Sequence, residues 1–163
     1  MVYGPLGGAS TEVLVYGQLQ FVPILVPPGS APLKGMAVEI TAGGGTGRTI
    51  RLGLWTDNGT GAPATLLTQG TVSAVNAGGG VFTFSSALSQ TGYLWLGAAA
   101  QGVGTNPQPG VRTVTAFVPG IRTLMSGTSS ANLVATASFT GTFGNAPAVA
   151  ADIGQGPRLT LIT

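Results

Sequence analysis

Gly and Pro punctuate this chain so densely that no stretch sustains a 3.6-residue apolar period between caps. There are 28 Gly and 11 Pro in 163 residues, and Pro in particular breaks a helix interior by removing a donor and clashing with the preceding turn. What remains between the breakers is short segments rich in Val, Ile, Thr, Phe and Tyr, the pattern of a sandwich or barrel. The expected fold class is all-β: an antiparallel jelly-roll-like β-sandwich with almost no helix.

Strands are expected at Glu12–Tyr16, Gln18–Val26, Gly35–Thr41, Thr49–Thr56, Thr71–Val75, Val81–Ser85, Tyr93–Ala98, Val111–Val118, Leu133–Phe139 and Arg158–Ile162. Alternation assigns their faces, because successive side chains in a strand point to opposite sides. Met36, Val38 and Ile40 fall on one side, with Ala37, Glu39 and Thr41 on the other. Ile50, Leu52 and Leu54 oppose Arg51, Gly53 and Trp55. Phe82 pairs with Phe84 and Leu94 with Leu96, while Tyr93 and Trp95 lie opposite the leucines. Pro27-Pro28-Gly29 ends a strand, the glycine-rich run Ala42–Gly47 links two more, and Asp57-Asn58-Gly59 is a structural turn. No linker divides the chain. The expected organisation is an N-terminal arm or first strand over 1–17, which could contact another subunit, followed by one sandwich over 18–163.

The side chains present remove several kinds of chemistry. The sequence has no Cys and no His, so it offers no disulfide, no thiolate and no histidine for a triad or a metal. Six basic and four acidic residues make the net charge only +2, without the concentrated positive field that phosphate tracking needs. Neither nucleic acid nor a membrane is expected as a partner, since no apolar run reaches helical spanning length. The N-terminus lacks a signal-peptide pattern, and the chain is expected to be made in a cytoplasm. Ala42–Thr49, AGGGTGRT, approaches a phosphate-binding loop, but Arg48 replaces the lysine and a strand pattern follows instead of a helix. Asp57 and Asn58 could offer oxygens to calcium, yet too few carboxylates stand by to complete a site. Asn58-Gly59-Thr60 is formally a glycosylation sequon. Four dispersed acidic residues give no support to a glycosidase pair. The expectation is a protein without enzymatic activity and without a cofactor.

Charged residues are 6% of the chain, against roughly 25% in ordinary domains. Either much of the surface meets another chain, or this is a weakly charged domain of extracellular type. The aromatics carry the remaining potential for recognition. Trp55, Tyr93 and Trp95, with Arg51 beside them, are candidate contacts for a protein interface or a glycan, since Trp, Tyr and Arg dominate interface energetics and aromatic rings stack on sugars. The competing reading is that both faces of these central strands are covered. Tyr3 and Leu6 are candidate anchors of an N-terminal arm.

The stretch Ile50–Gly102 contains Trp55, Asp57, Asn58, Gly59, Gly61, Pro63, Leu66, Leu67, Phe82, Phe84, Tyr93, Trp95 and Leu96. This order resembles a recurrent jelly-roll module of bacteriophage structural proteins and bacterial surface or carbohydrate-binding proteins. The resemblance extends more loosely to Gln20–Ile40 and Pro157–Ile162. It implies a virion structural protein, either capsid decoration or a head or tail fibre component, localised in the virion. Its partners would be sister copies, with a homotrimer favoured by analogy, and other virion proteins such as the major capsid protein or tail proteins. The alternative it implies is a carbohydrate-binding or adhesion module contacting host glycan through Trp55, Trp95 or the loop Gln101–Asn106. A hydrolase accessory domain is a third.

Overall fold

The computed structural model describes residues 2–3, 9–102, 107–114, 133–145, 147–151 and 156–163. Among them there is no helix; strands build two sheets. The six-stranded sheet runs β11 (Val149–Ala151), β10 (Leu133–Ser138), β3 (Gln18–Val26), β8 (Gly92–Gly102), β5 (Arg48–Asp57), β6 (Pro63–Ser73). The seven-stranded sheet is organised around β4 (Leu33–Ala42). On one side β4 pairs with β7 (Gly78–Leu88), and on the other with β13 (Leu159–Ile162) and β9 (Gly110–Val114). β9 in turn carries β2 (Ala9–Val13) and β12 (Gly156–Pro157), and β1 (Val2–Tyr3) lies on β13. All named strand pairs are antiparallel. The all-β, two-sheet expectation therefore holds.

Alternation places the core between the sheets as the sequence predicts. Ile24 and Val26, Met36, Val38 and Ile40, Ile50, Leu52 and Leu54, and Leu94 and Leu96 are buried together with Leu159 and Leu161. Each fully buried aliphatic side chain stabilises by about 1.5–3 kcal/mol relative to exposure, so this aliphatic layer supplies most of the driving force for stacking the sheets.

Two strand expectations need correction, and a third is described only in part. The sequence pattern predicts the first at Glu12–Tyr16, but β2 ends at Val13. Beyond it the Leu14 amide still donates to the Pro109 carbonyl (3.0 Å), but Pro109 has no N–H to return, and the Tyr16 amide turns to Gln108 Oε1 (2.7 Å), so the ladder ends. The strand expected at Thr71–Val75 begins at Pro63. Pro63 starts an edge strand, where its missing N–H costs no ladder bond, and β6 pairs along almost the full length of β5. β9 agrees with the expected Val111–Val118 over Val111–Val114; residues 115–118 lie outside the described residues.

Candidate functional site

The outer face of the six-stranded sheet holds the sequence-predicted aromatics. Gly53-Leu54-Trp55 on β5 runs antiparallel to Trp95-Leu96-Gly97 on β8, so Trp55 stands opposite Trp95 and Gly53 opposite Gly97. The two glycines leave a floor without side chains. A Cβ on Gly53 would collide with the Trp55 indole, and one on Gly97 would lie 2.7 Å from Trp55 Cζ3. Mid-strand glycines of this kind mark a close approach, and here the group that approaches is the chain's own tryptophan. Phe21 meets Trp55 edge-on with centroids 5.0 Å apart, and Phe143 lies against it at 5.4 Å.

The strap 139–145, which joins β10 to β11, crosses this face and is held by polar side chains of the sheet. Gln101 Nε2 donates to the carbonyls of Phe139 (3.0 Å) and Gly141 (2.7 Å). Gln69 brackets Phe143, its Nε2 donating to the carbonyl at 3.2 Å and its Oε1 accepting from the amide at 2.8 Å. Trp55 Nε1 donates to the Gly144 carbonyl (3.0 Å), and Asn145 Oδ1 accepts from the Leu66 amide (2.8 Å). Arg51 orients both glutamines, donating from Nε to Gln101 Oε1 (2.9 Å) and from Nη1 to Gln69 Oε1 (3.3 Å). The result is a second, aromatic layer outside the sandwich, comprising Leu19, Phe21, Trp55, Trp95, Ala99, Leu133, Ala135 and Phe143.

Of the two readings left open for the tryptophans, the covered one is observed. Trp55 and Trp95 are each 0% exposed, which corrects their assignment as surface contacts: within this chain neither ring has a free face on which a sugar or partner could stack. For Trp55 the cover comes from Phe143 and Gly144, the latter 89 positions away, which alternation within β5 does not reveal. Arg51 is half-buried and engaged with the strap; Tyr93 is half-buried at the margin of the aromatic layer.

Asp57, Asn58 and Gly59 form the turn that closes this end. Asp57 Oδ1 accepts from the Gly59 amide (2.6 Å) and Oδ2 from Trp95 Nε1 (2.7 Å), so the carboxylate also satisfies the buried indole. Asn58 Oδ1 accepts from the Thr60 amide and hydroxyl, both at 2.8 Å, and from the Ala62 amide at 3.1 Å. With these oxygens occupied by protein donors, the turn is built as a structural element. Tyr3 sits in β1 opposite Leu161; Leu6 lies outside the described residues, as do residues 103–106 of the loop beginning at Gln101, whose own side chain is buried beneath the strap.

A different surface emerges at the lateral side where β6 and β7 lie. These strands are the outermost of their respective sheets, and they touch across the sandwich: a Cβ on Gly70 of β6 would strike the Phe82 ring of β7. From Asn58 to Val111 the chain contains no Asp, Glu, Lys or Arg, so both edge strands are free of formal charge. Val81 is 57% exposed, and Thr83, Ser85, Ser86 and Ala87 are exposed beside it. Of the two charges on β4, Lys34 is exposed between the residues that pair with Leu88 and Thr83, and Glu39 is paired with Arg112 at 3.1 Å and with Arg158 at 3.9 Å.

No family model matches this chain, and no curated protein matches it. Among solved structures it is similar to the cysteine protease and lectin-like domains of Cwp84, a surface layer associated protein of Clostridium difficile. The identity is 12% and the TM-score 0.49, over 98% of this chain and 37% of that one. The chain thus spans little more than a third of that protein's length, and at this score the likeness adds nothing to the fold already read from the strands.

Proposed function

We propose that this chain is a non-enzymatic packing module that works by burying uncharged surface against other protein, as a virion piece of the capsid-decoration or fibre type does. The observation that carries this reading is the charge-free lateral side formed by β6 and β7. Covering exposed Val, Thr, Ser and Ala requires no ion to be stripped of water, whereas desolvating a charge is expensive unless it is paired. The particle setting rests on the sequence resemblance over Ile50–Gly102. The carbohydrate-binding alternative loses its two strongest platforms with the burial of Trp55 and Trp95. A glycan array followed by calorimetric titration of the purified chain tests the choice: a flat response is expected, and saturable binding of any glycan would overturn the packing reading.

A further inference from the structure

We infer that β7 is a self-pairing edge, through which two copies of this chain join antiparallel across a two-fold axis into one continuous sheet. The inference rests on the packing reading above and names its partner. An edge strand presents a row of backbone N–H and C=O groups that template another strand, and proteins blunt such edges with Lys, Pro, bulges or covering segments. The edges of this molecule differ in how far they are blunted. β6 begins at Pro63, and the Leu66 amide is capped by Asn145. β11 is only three residues long, and β2 carries Glu12. β7 has eleven residues, no Pro and no charge, and among the described residues its ladder partner is β4 alone.

The regular part of β7 is Gly78–Thr83, whose pairing with β4 continues unshifted from Ile40 to Gly35; the register breaks only beyond Thr83. Six residues span about 20 Å at roughly 3.4 Å per residue. A second copy of the same strand is the partner that fits, because rotation about a two-fold axis makes β7 antiparallel to itself with no further adjustment. It sets no like charges directly opposite one another, since the strand has none; of the charges on β4 behind it, Glu39 is paired with two arginines and Lys34 lies beyond the segment that pairs with Gly78–Thr83. The same rotation brings the uncharged β6 edges alongside. A patch formed by two strand edges is smaller than the roughly 800 Å² per partner of a standard stable interface. Association is therefore concentration-dependent and leans on the new backbone hydrogen bonds. The three-fold arrangement implied by the sequence resemblance would require two different edges to meet, which self-pairing of β7 does not.

Light scattering coupled to size exclusion, on the full chain from low micromolar to submillimolar concentration, tests this. The expected mass rises towards twice the 16.1 kDa chain mass and returns to that of one chain in the double variant Val81→Lys, Thr83→Lys. Both side chains are exposed, so the fold is retained, and an unchanged thermal melt at low concentration verifies it. Mixing that variant with Val81→Glu, Thr83→Glu restores the dimer, because unlike charges then face each other across the pair. A control carrying Val13→Lys and Leu25→Lys, exposed apolar positions on β2 and β3, dimerises as the parent does. In the parent, hydrogen-exchange protection of β7 amides increases with concentration. A monomer at every concentration, a trimer, or a dimer indifferent to the β7 lysines would overturn the inference. None of these would touch the packing reading, which stands or falls on the glycan titration.

Discussion

The two apolar layers of this molecule are built by different rules. Between the sheets, aliphatic side chains from β3, β4, β5, β8 and β13 interdigitate with no hydrogen bonds to arrange. Outside the six-stranded sheet, Phe21 packs edge-on and Phe143 tilted against Trp55, Trp95 is buried in the same layer, and each indole N–H reaches a specific oxygen. The inner layer is non-directional and tolerates modest repacking; the outer layer works only when Gly53 and Gly97 clear the floor and the strap supplies its carbonyls. Hydrophobic burial alone accounts for the first, while geometry and polar satisfaction are also needed for the second.

The largest expected effect breaks the outer layer from below. Gly97→Val sets a branched side chain where Trp55, Leu19 and Phe21 already lie within 3.1 Å of a hypothetical Cβ, so the indole must leave its slot. A loss of about 4 kcal/mol is expected, comparable to removing a large buried aromatic, measured by urea unfolding. Next comes Leu52→Ala in the inner layer, where a fully buried leucine is truncated at a cost of about 3 kcal/mol. If Leu52→Ala proved the costlier of the two by a clear margin, the aromatic layer would be a veneer on a sandwich stable without it.

The inner layer was legible because a period of two is local: Met36, Val38 and Ile40 declare their common face within five residues. So was β3, whose apolar run before Pro27-Pro28-Gly29 places it at Gln18–Val26, as the structure does. The start of β6 was not, because Gly61 and Pro63 read as loop residues until β5 supplies a ladder for them. The outer layer needed two facts that no short window contains. One is the register that sets Gly53 against Gly97, for which the reversed order of Gly53-Leu54-Trp55 and Trp95-Leu96-Gly97 is the available signal. The other is the arrival of Phe143 and Gly144 from far along the chain, for which there is none. Gln69 accordingly has no signal in the sequence, and Gln101 reads there only as the start of a candidate glycan loop: an isolated glutamine on a strand has no pattern that marks it as a clamp.

Gln101→Ala tests that clamp at a smaller scale. The side chain is 4% exposed and serves two strap carbonyls while accepting from Arg51. Its removal leaves those groups to find water or open the strap, at a cost of about 2 kcal/mol. The expected signature is local. The Phe143 amide, protected by Gln69 Oε1, should exchange faster by sub-global opening, while amides in β8 keep the protection set by global unfolding. Uniform acceleration in both places would show that strap and sandwich open as one unit, and the two layers would then be energetically indivisible.

The smallest stability effect is expected at the surface assigned the largest role in association. Val81→Lys changes a side chain 57% exposed on an edge strand, away from both apolar layers, so the unfolding free energy of the dilute monomer should shift by no more than about 0.5 kcal/mol. A β-branched residue gives way to one of lower strand propensity, which sets the sign as slightly destabilising. If dilute-solution denaturation showed instead a loss of 2 kcal/mol or more, about the size expected for a buried contact, Val81 would be packed within its own chain. The β7 edge would then belong with the covered surfaces of the molecule, and its lack of charge would follow from burial within the monomer instead of from a strand left open for another.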